Sequence, residues 1–275
     1  MCKVLGVSRA TFYRWLNPKV SKRKEGQLEL DKQVLSIYND YHGIYGAKKI
    51  RETLISTLDN YQYISLKRVQ KSMKRLKIRS ITVRKFKPFK SNEKIPNGYP
   101  NHLKQNFSTS ALNQKWVADI TYIDTCEDGW CYLSTIMDLH SKKIIGYHFD
   151  KQMTTDIVIK SLNSACLNRK WDSQLILHTD LGSQYTSLAY EQLLTEKKIK
   201  HSYSRKGCPY DNAGIESFHA SLKKEHVYQR PVYRDFADAK QCIFRYVHHF
   251  YNGRRIHGSI NYLTPNQMEL NQHSA

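Results

Sequence analysis

Three acidic side chains stand in local settings where chemistry is plausible. Asp119 interrupts an apolar and β-branched run, WVADITY, where a lone carboxylate is costly to bury. Asp180 follows the short apolar run LILH in the segment HTDLGSQY, and Gly182 allows the chain to turn sharply there. Glu216 lies at the start of a predicted helix in GCPYDNAGIESFHASLKKE. Each acid alone has an ordinary explanation, as a strand end, a turn former or a first-turn helix acid.

Together these acids suggest a metal site. Open α/β sheets bind ligands at the carboxyl edge of their strands, and three carboxylates converging there repel one another unless cations neutralise them. Oxygen-only ligands favour Mg²⁺ or Mn²⁺. Two such ions, about 3.5–4 Å apart, activate an attacking hydroxyl and stabilise the departing oxygen of a phosphoryl transfer. The residue types therefore indicate two-metal phosphoryl transfer.

The elements that must position these acids follow from the pattern of the C-terminal part. Three strands are predicted at Trp116 to Ile123, Trp130 to Asp138 and Lys143 to Phe149, separated by turn-like segments that suit an antiparallel meander. Thr155 to Arg169 predicts an amphipathic helix, and Gln174 to His178 predicts a short buried strand. This order predicts an α/β domain with one central mixed sheet.

The first residues predict half of a helix-turn-helix. A helix from Ser8 to Leu16, capped by Ser8, turns an apolar face inward and leaves Arg9 and Arg14 outside, where they are candidates for DNA binding. The first helix of the pair is nearly missing. We therefore hypothesise that more protein normally precedes this chain.

A second helical unit repeats this design at full length. Ser65 is predicted to cap a helix whose apolar side chains face inward. Its outer face carries the predicted DNA-binding residues Lys67, Arg68, Lys71 and Arg75, together with Lys74. Such a helix fits the major groove, and its exposed charges are all positive, which favours DNA contact. A solvated helix of a small bundle is the alternative.

The distribution of charge separates the two parts of the chain. The formal net charge is +20, and residues 1–115 hold 25 Lys and Arg against 7 Asp and Glu, a net of +18. The remaining residues hold 19 against 17, a net of +2. Because neutralising phosphates releases counterions, a polyanion is the expected partner of the basic part. Charge alone leaves ribosomal and membrane-surface binding open.

Other features exclude several classes of protein. The six cysteines are scattered without a CxxC pair, so neither a zinc ribbon nor a disulfide scaffold is indicated. The sequence contains no apolar run that could span a bilayer and no secretory signal, so we expect a cytoplasmic protein without membrane contact. A bacterial, nucleoid-associated location is implied only by the family resemblance described below. Residues 81–112 show no clear helical or strand periodicity, and a basic linker is predicted there. The linker either follows a phosphate backbone or serves as an ordinary tether.

The spacing of the acids and five sequence segments resemble a known family. Thirty-five residues separate Asp180 from Glu216, an interval similar to the signature of retroviral integrases and of bacterial insertion-sequence transposases of the IS-three type. The segments YGAKKI, NQKWVADITY, HTDLGSQY, GCPYDNAGIESFHASLKKE and YNGRRIHGSINYLTP match in order over almost the whole chain. Leu181 departs from the more usual glutamine but leaves the three acids intact. The resemblance is strongest to the second-frame product of that family.

The resemblance implies an α/β protein with a ribonuclease H-like catalytic core, a mixed five-stranded sheet with helices, preceded by helix-turn-helix-like DNA-binding segments. It implies that Asp119, Asp180 and Glu216 bind two Mg²⁺ (or Mn²⁺) ions. It further implies that Lys223, seven positions after Glu216, contacts DNA ends. A C-terminal box is expected to pack beside the glutamate helix, with His257 in a structural role; its members are Tyr251, Asn252, Arg255 and His257.

The resemblance also implies partners. Double-stranded DNA, as element ends and target, is the expected substrate, and a homo-oligomer is expected on it. An upstream-frame protein, fused by ribosomal frameshifting or paired with this chain, is expected to supply recognition of the element ends.

We therefore predict a truncated helix-turn-helix at residues 1–20, a helix-turn-helix-like DNA-binding domain at 25–80, a basic linker at 81–112 and an integrase catalytic core with its C-terminal helical box at 113–272. The predicted function is a DNA transposase that cleaves and transfers strands. A nuclease of the same fold that stops after hydrolysis, and a regulator that uses only the basic helices, remain alternatives.

Overall fold

The computed structural model describes residues 2–17, 21–82, 99–167, 169–205 and 209–273. It divides the chain into two units, Met1–Val83 and Arg84–Ala275. Half of the predicted basic linker, residues 83–98, lies outside the described residues. Every helix in the described part of the chain is too short or too polar to cross a membrane.

Helix α1 (Arg9–Leu16) confirms the predicted cap. Ser8 Oγ accepts a hydrogen bond from the Thr11 amide at 3.1 Å, which satisfies one of the unpaired first-turn donors. No residue of α1 is buried, and Trp15 is 75% exposed. The apolar face predicted for α1 is therefore solvent-exposed.

Three further helices form the core of the N-terminal unit: α2 (Lys22–Asp40), α3 (Ala47–Thr57) and α4 (Leu66–Arg75). Their shared core consists of apolar side chains at helical spacing, namely Leu30, Val34, Ile50, Leu54 and Val69. Ser65 occupies the N-cap position of α4, but its side chain makes no capping hydrogen bond, so the predicted cap is wrong.

Within the described residues, the C-terminal unit is built on a five-stranded sheet of order β3-β2-β1-β4-β5. The strands are β1 (Lys115–Thr125), β2 (Gly129–Asp138), β3 (Ile144–Asp150), β4 (Ile176–Thr179) and β5 (Lys200–Tyr203). The first three form the predicted antiparallel meander, and β1, β4 and β5 are parallel. The predicted mixed sheet is confirmed.

Helices cover both faces of this sheet because apolar side chains of β1 alternate between them. Trp116 and Ala118 pack with α5 and α6, whereas Val117 and Ile123 pack with α7 and α8. The helices of this unit include α5 (Thr155–Cys166), α6 (Leu188–Glu196), α7 (Ala213–Glu225), α8 (Phe236–Phe244) and α9 (Pro265–His273).

The segment before β1 is part of this unit. The Tyr203 amide donates to the Pro100 carbonyl at 3.0 Å, and Ser202 Oγ accepts from two successive amides of the segment at 2.9 and 3.1 Å. The fold of the C-terminal unit thus begins before residue 113, the predicted start of the core.

Gly146 of β3 allows α5 to lie directly on the sheet. A Cβ at this position would stand 2.5 Å from the Ser161 carbonyl oxygen and 2.5 Å from the Ala165 amide nitrogen. Both atoms belong to the backbone of α5, so they cannot yield as a flexible side chain can. Helix α5 can therefore reach this position on the sheet only if residue 146 has no side chain.

We expect Gly146→Ala to lower the free energy of unfolding of the C-terminal unit by about 2–3 kcal/mol, because the helix must move away from β3. Gly26 is the matched control, since it lies at an exposed position of α2 and a Cβ added there would meet no atom within 4 Å. Gly26→Ala should raise stability by roughly 0.5–1 kcal/mol through helix propensity. Urea unfolding gives the free energy of unfolding of both variants, and equal changes in the two variants would contradict the packing argument.

A buried and a half-buried histidine make the C-terminal unit sensitive to acid. His178 of β4 is fully buried, with Nδ1 2.8 Å from Ser202 Oγ, and burial lowers its pKa to about 4. His226, at the end of α7, stacks on Tyr246 at 5.4 Å, and burial lowers its pKa to about 4 as well. Both side chains are neutral in the folded protein at neutral pH.

Because the unfolded pKa of histidine is about 6.5, the unfolded chain takes up these protons first as the pH falls. The contribution of these two histidines to stability should therefore be fully present above about pH 6.5 and be lost between pH 6.5 and 4. We expect His226→Phe, which keeps a ring against Tyr246, to reduce the slope by up to about 1.4 kcal/mol per pH unit. Urea midpoints measured from pH 7.5 to 4.5 test this, and an unchanged slope would contradict it.

Candidate active site

The register of β1 and β4 places Asp119 beside Asp180. Val117 is paired with His178 in the parallel ladder; Asp119 lies two residues further along β1, and Asp180 is the first residue after the end of β4. Asp119 thus points to the same face as Val117, toward α7. Neighbouring strands are about 4.8 Å apart, so the two acids occupy adjacent positions at the carboxyl edge of the sheet.

Glu216 reaches this edge because α7 begins directly on β1. The Asn212 side-chain amide donates to the Ala118 carbonyl at 3.4 Å. A Cβ on Gly214 would stand 2.8 Å from Leu139 Cδ2 and 3.5 Å from Val117 Cγ2. This close approach brings Glu216, in the first turn of α7, into the field of Asp119.

The three acids are electrostatically coupled. Burial, followed by the charge of Asp119, raises the pKa of Glu216 to about 7. Burial and the same charge raise the pKa of Asp180, against a hydrogen bond from the Gly182 amide at 3.0 Å. Asp119 is thus the common neighbour of the other two acids, and the cluster carries unrelieved repulsion between carboxylates.

Protein donors hold Asp119 in this structure. The Ile120 amide donates to Oδ1 at 2.8 Å, and His219 Nδ1 lies 3.3 Å from Oδ2. Among the described residues, no three His, Cys, Asp or Glu side chains are grouped so that they could hold a metal ion. The backbone brings the acids together, while their side chains point to local donors.

Two further side chains lie in the field of Asp119. Lys223 is half-buried on α7; burial lowers its pKa and the charge of Asp119 opposes that shift. Tyr185 is fully buried, and its pKa is raised by burial and by the charges of Asp119 and Asp180. Lys223, predicted from the resemblance, therefore borders the acid cluster.

A relay of side chains supports the backbone at Asp180. The Thr179 hydroxyl donates to the Asp180 carbonyl at 2.8 Å and lies 3.0 Å from His201 Nε2. His201 Nδ1 is in turn 2.6 Å from Glu191 Oε1 on α6. Helix α6 and strand β5 thus fix the turn that presents Asp180.

Asp211 fixes the chain just before α7. Its fully buried carboxylate accepts from Arg205 Nε at 2.9 Å, from the Arg205 amide at 3.0 Å and from Gln105 Nε2 at 2.7 Å. These donors outweigh burial and hold its pKa far below the usual range. The start of the glutamate helix is therefore tied to the segment that precedes β1.

The C-terminal box packs beside the glutamate helix, as predicted. Arg255, nearly fully buried, donates to Glu225 through Nε at 2.8 Å and Nη2 at 2.6 Å. Tyr246 O–H donates to the same carboxylate at 3.0 Å. Asn252 bonds both the amide and the carbonyl of Ile144 on β3. These contacts lock the end of α7 against the rest of the core.

The predicted DNA-binding residues of the N-terminal unit lie on its surface. Arg9 and Arg14 of α1 and Lys67, Arg68 and Lys71 of α4 are exposed. Arg75 is also predicted to bind DNA, but its guanidinium is not a free surface charge, because it pairs with Asp31 of α2 at 2.6 Å. Asp31 also accepts from Ser72 at 2.5 Å.

A basic cavity of about 300 Å³ opens beside this ion pair. It is lined by Arg23, Gln27, Leu30, Arg68, Lys71 and Arg75. No carboxylate in the described ranges pairs with Arg23, Arg68 or Lys71. The cavity therefore presents uncompensated positive charge.

Sequence reasoning missed several residues around the acids. His219, Thr135, Tyr185 and Asp211 are buried polar groups close to or supporting the cluster. Tyr185 and Asp211 lie inside segments already recognised, HTDLGSQY and CPYDN, which was the available signal. His219 also lies inside a recognised segment, GCPYDNAGIESFHASLKKE, whereas Thr135 carried no signal, since a single threonine in a strand is commonplace.

Comparison with known proteins agrees with this architecture. A family model described as an integrase core domain matches residues 110–209, a second of the same description matches 197–265, and an HTH-like domain matches 25–86. Transposase InsF for insertion sequence IS3A of Escherichia coli (strain K12) is 35% identical, covering 98% of this chain and 92% of the relative. An uncharacterized 31 kDa protein of insertion element IS600 from Shigella sonnei is 34% identical, covering 96% of each.

Solved structures resemble the chain more weakly. The HTLV-2 integrase catalytic core domain in complex with magnesium is 18% identical with a TM-score of 0.43, covering 57% of this chain and 95% of that one. A likeness at this level supports no conclusion about the site.

Proposed function

Because the chain belongs to the insertion-sequence transposases with an integrase core, we propose that Asp119, Asp180 and Glu216 bind the divalent cations of its DNA chemistry. The chain is a polynucleotidyl transferase by family. The observation that carries the proposal is the placement of the acids: β1 and β4 pair beside Asp119 and Asp180, and α7 begins on β1 with Glu216 in its first turn. Partial burial, together with the charge of Asp119, raises the pKa of Glu216 to about 7.

The donor set fits Mg²⁺ or Mn²⁺. Three carboxylates supply only hard oxygen ligands, and their mutual repulsion favours a cation over the empty cluster. Asp119 lies on β1 and Asp180 directly follows the paired strand β4, so we propose that their side chains turn toward a shared ion without moving the sheet. Each oxygen of Asp119 keeps a further lone pair beside its present donor. We propose two ions in the active complex.

The ions, when bound, would activate the attacking hydroxyl and stabilise the departing oxygen. We propose that water first attacks a phosphodiester at the element end, which releases a 3′ hydroxyl and leaves a 5′ phosphate. That hydroxyl then attacks a second strand and displaces another 3′ hydroxyl. Lys223, which borders the acids, would hold a DNA phosphate beside them.

We expect Asp119→Asn, Asp180→Asn and Glu216→Gln each to reduce cleavage and joining by more than about a hundredfold, because each change removes a charged ligand. Asp124→Asn is the matched control, since this exposed acid lies on the same strand but on the opposite face. The assay is gel analysis of duplex DNA carrying the sequences that flank the gene, with Mg²⁺.

DNA binding, measured in parallel, should be retained by all four variants. If the three variants still cut and joined DNA like the wild type, the proposed cluster would be wrong. If wild type and the Asp124 control also failed to cut while binding normally, the assay DNA would lack the element ends.

We propose that the basic cavity of the N-terminal unit binds a backbone phosphate of duplex DNA. Arg23 approaches from α2, and Arg68 and Lys71 approach from α4, so that three cationic groups face one concave site. The ion pair with Asp31 fixes Arg75 at the wall of this site. A phosphate bound here would orient the outer face of α4, with Lys67, toward the groove.

We expect the double variant Arg23→Gln, Lys71→Gln to weaken binding of unrelated duplexes equally and to reduce the salt slope of log K by about 1, the share of one phosphate contact. Lys32→Gln is the matched control, because Lys32 is exposed on α2 but outside the cavity. Fluorescence anisotropy from 50 to 200 mM salt measures both. Equal slopes for the double variant and the control would contradict the site.

We propose that the transposase acts as a homo-oligomer on DNA. One chain carries one acid cluster, whereas an insertion element has two ends that must be processed together. Partnership with an upstream-frame protein also remains a proposal, supported by the exposed apolar face of α1, where Trp15 is 75% exposed.

A further inference from the structure

We propose that His219 is a positioning residue that orients the Asp119 carboxylate for metal binding and sets its distance from Glu216. This inference rests on the proposed function of the acid cluster. Nothing in the sequence pattern singles out His219, and it emerges from three contacts that converge on one imidazole.

The imidazole of His219 bridges two strands from the glutamate helix. It is 7% exposed on α7, with Nδ1 3.3 Å from Asp119 Oδ2 on β1 and Nε2 2.8 Å from Thr135 Oγ1 on β2. Asp119 and Thr135 are directly paired in the antiparallel ladder. The three side chains therefore form a closed arrangement in which each position is set by a different element.

The partners determine which nitrogen carries the proton. A carboxylate only accepts hydrogen bonds, so Nδ1 is the donor toward Asp119. Nε2 then accepts from the Thr135 hydroxyl at 2.8 Å, since the competing acceptor, the Asp119 carbonyl, is farther away at 3.5 Å. Thr135 thus keeps His219 in the form that donates to Asp119.

This arrangement leaves the carboxylate able to bind a cation. Oδ1 accepts from the Ile120 amide at 2.8 Å, and Oδ2 lies at ion-pair distance, 3.3 Å, from His219 Nδ1, so each oxygen has one neighbouring donor group that restricts the carboxylate. Each oxygen retains a second lone pair for an ion. Ligating carboxylates in metal sites are commonly held by such outer hydrogen bonds.

The contact between His219 and Asp119 also relates the position of Asp119 to that of Glu216. His219 follows Glu216 by three residues on α7, so both side chains lie on one side of the helix. Phe218 packs against the His219 ring at 5.5 Å and keeps it in place. A shift of α7 relative to β1 would therefore move His219 and Glu216 together with respect to Asp119.

The test compares two substitutions that each keep one half of the bridge. In His219→Asn the amide stands where Nδ1 stood and can still donate to Asp119. In His219→Gln the amide stands where Nε2 stood and reaches Thr135 instead. Mn²⁺ alone is titrated into the full chain without DNA, with binding followed by electron paramagnetic resonance, and urea unfolding reports whether each variant folds.

We expect His219→Asn to bind Mn²⁺ within about threefold of the wild type, and His219→Gln to bind it roughly 10–100-fold more weakly. Thr135→Val should show a smaller loss, because the imidazole remains but its protonated nitrogen is no longer fixed. Equal Mn²⁺ affinity of the Asn and Gln variants would overturn the proposal, whether both bind or both fail.

Asp119→Asn separates this inference from the proposed function beneath it. If Asp119→Asn bound Mn²⁺ like the wild type, the acid cluster itself would be misassigned. If Asp119→Asn abolished Mn²⁺ binding while His219→Gln matched the wild type, the acid cluster would be supported as the metal site and only the positioning role of His219 would be contradicted.

Discussion

The candidate site depends on the packing that brings Asp119, Asp180 and Glu216 to one edge of the central sheet despite the repulsion between their carboxylates. Local contacts keep them there: parallel pairing fixes Asp119 beside Asp180, and Gly214 lets α7 lie against β1. Arg255 anchors the far end of that helix through Glu225. A cluster assembled against its own electrostatics in this way is stable only because the surrounding elements over-determine it.

The strands and the three acids could be predicted because their signals are local. Alternating apolar residues identified β1 to β3, and the 35-residue interval identified the last two acids. Strand β5 was not located from the sequence, because its segment KHSY is short and polar. Two other contacts could not be predicted because they depend on the tertiary structure. One is the pairing of Arg75 with Asp31, 44 residues away, and the other is the contact of His219 with Asp119. No window of sequence contains both members of either pair.

Charge is distributed unevenly along the chain. Residues 1–115 carry +18 of the net charge of +20, and the N-terminal unit has a cavity in which Arg23, Arg68 and Lys71 pair with no carboxylate of the described residues. The core is almost neutral, and its acids would repel a DNA backbone on their own. We therefore expect the basic part to attract DNA, whereas the cations proposed at the acids, with Lys223 beside them, would make the site acceptable to a phosphate.

Whether Asp119, Asp180 and Glu216 form one metal site is tested most directly by locating the ions. Crystals of the full chain, or of its complex with duplex DNA, can be grown with Mn²⁺ and measured at the manganese absorption edge. We expect anomalous peaks within coordination distance of Asp119 and Asp180, with Glu216 joining when DNA is bound. Manganese bound elsewhere, with the three carboxylates still apart at saturating metal, would contradict a shared site.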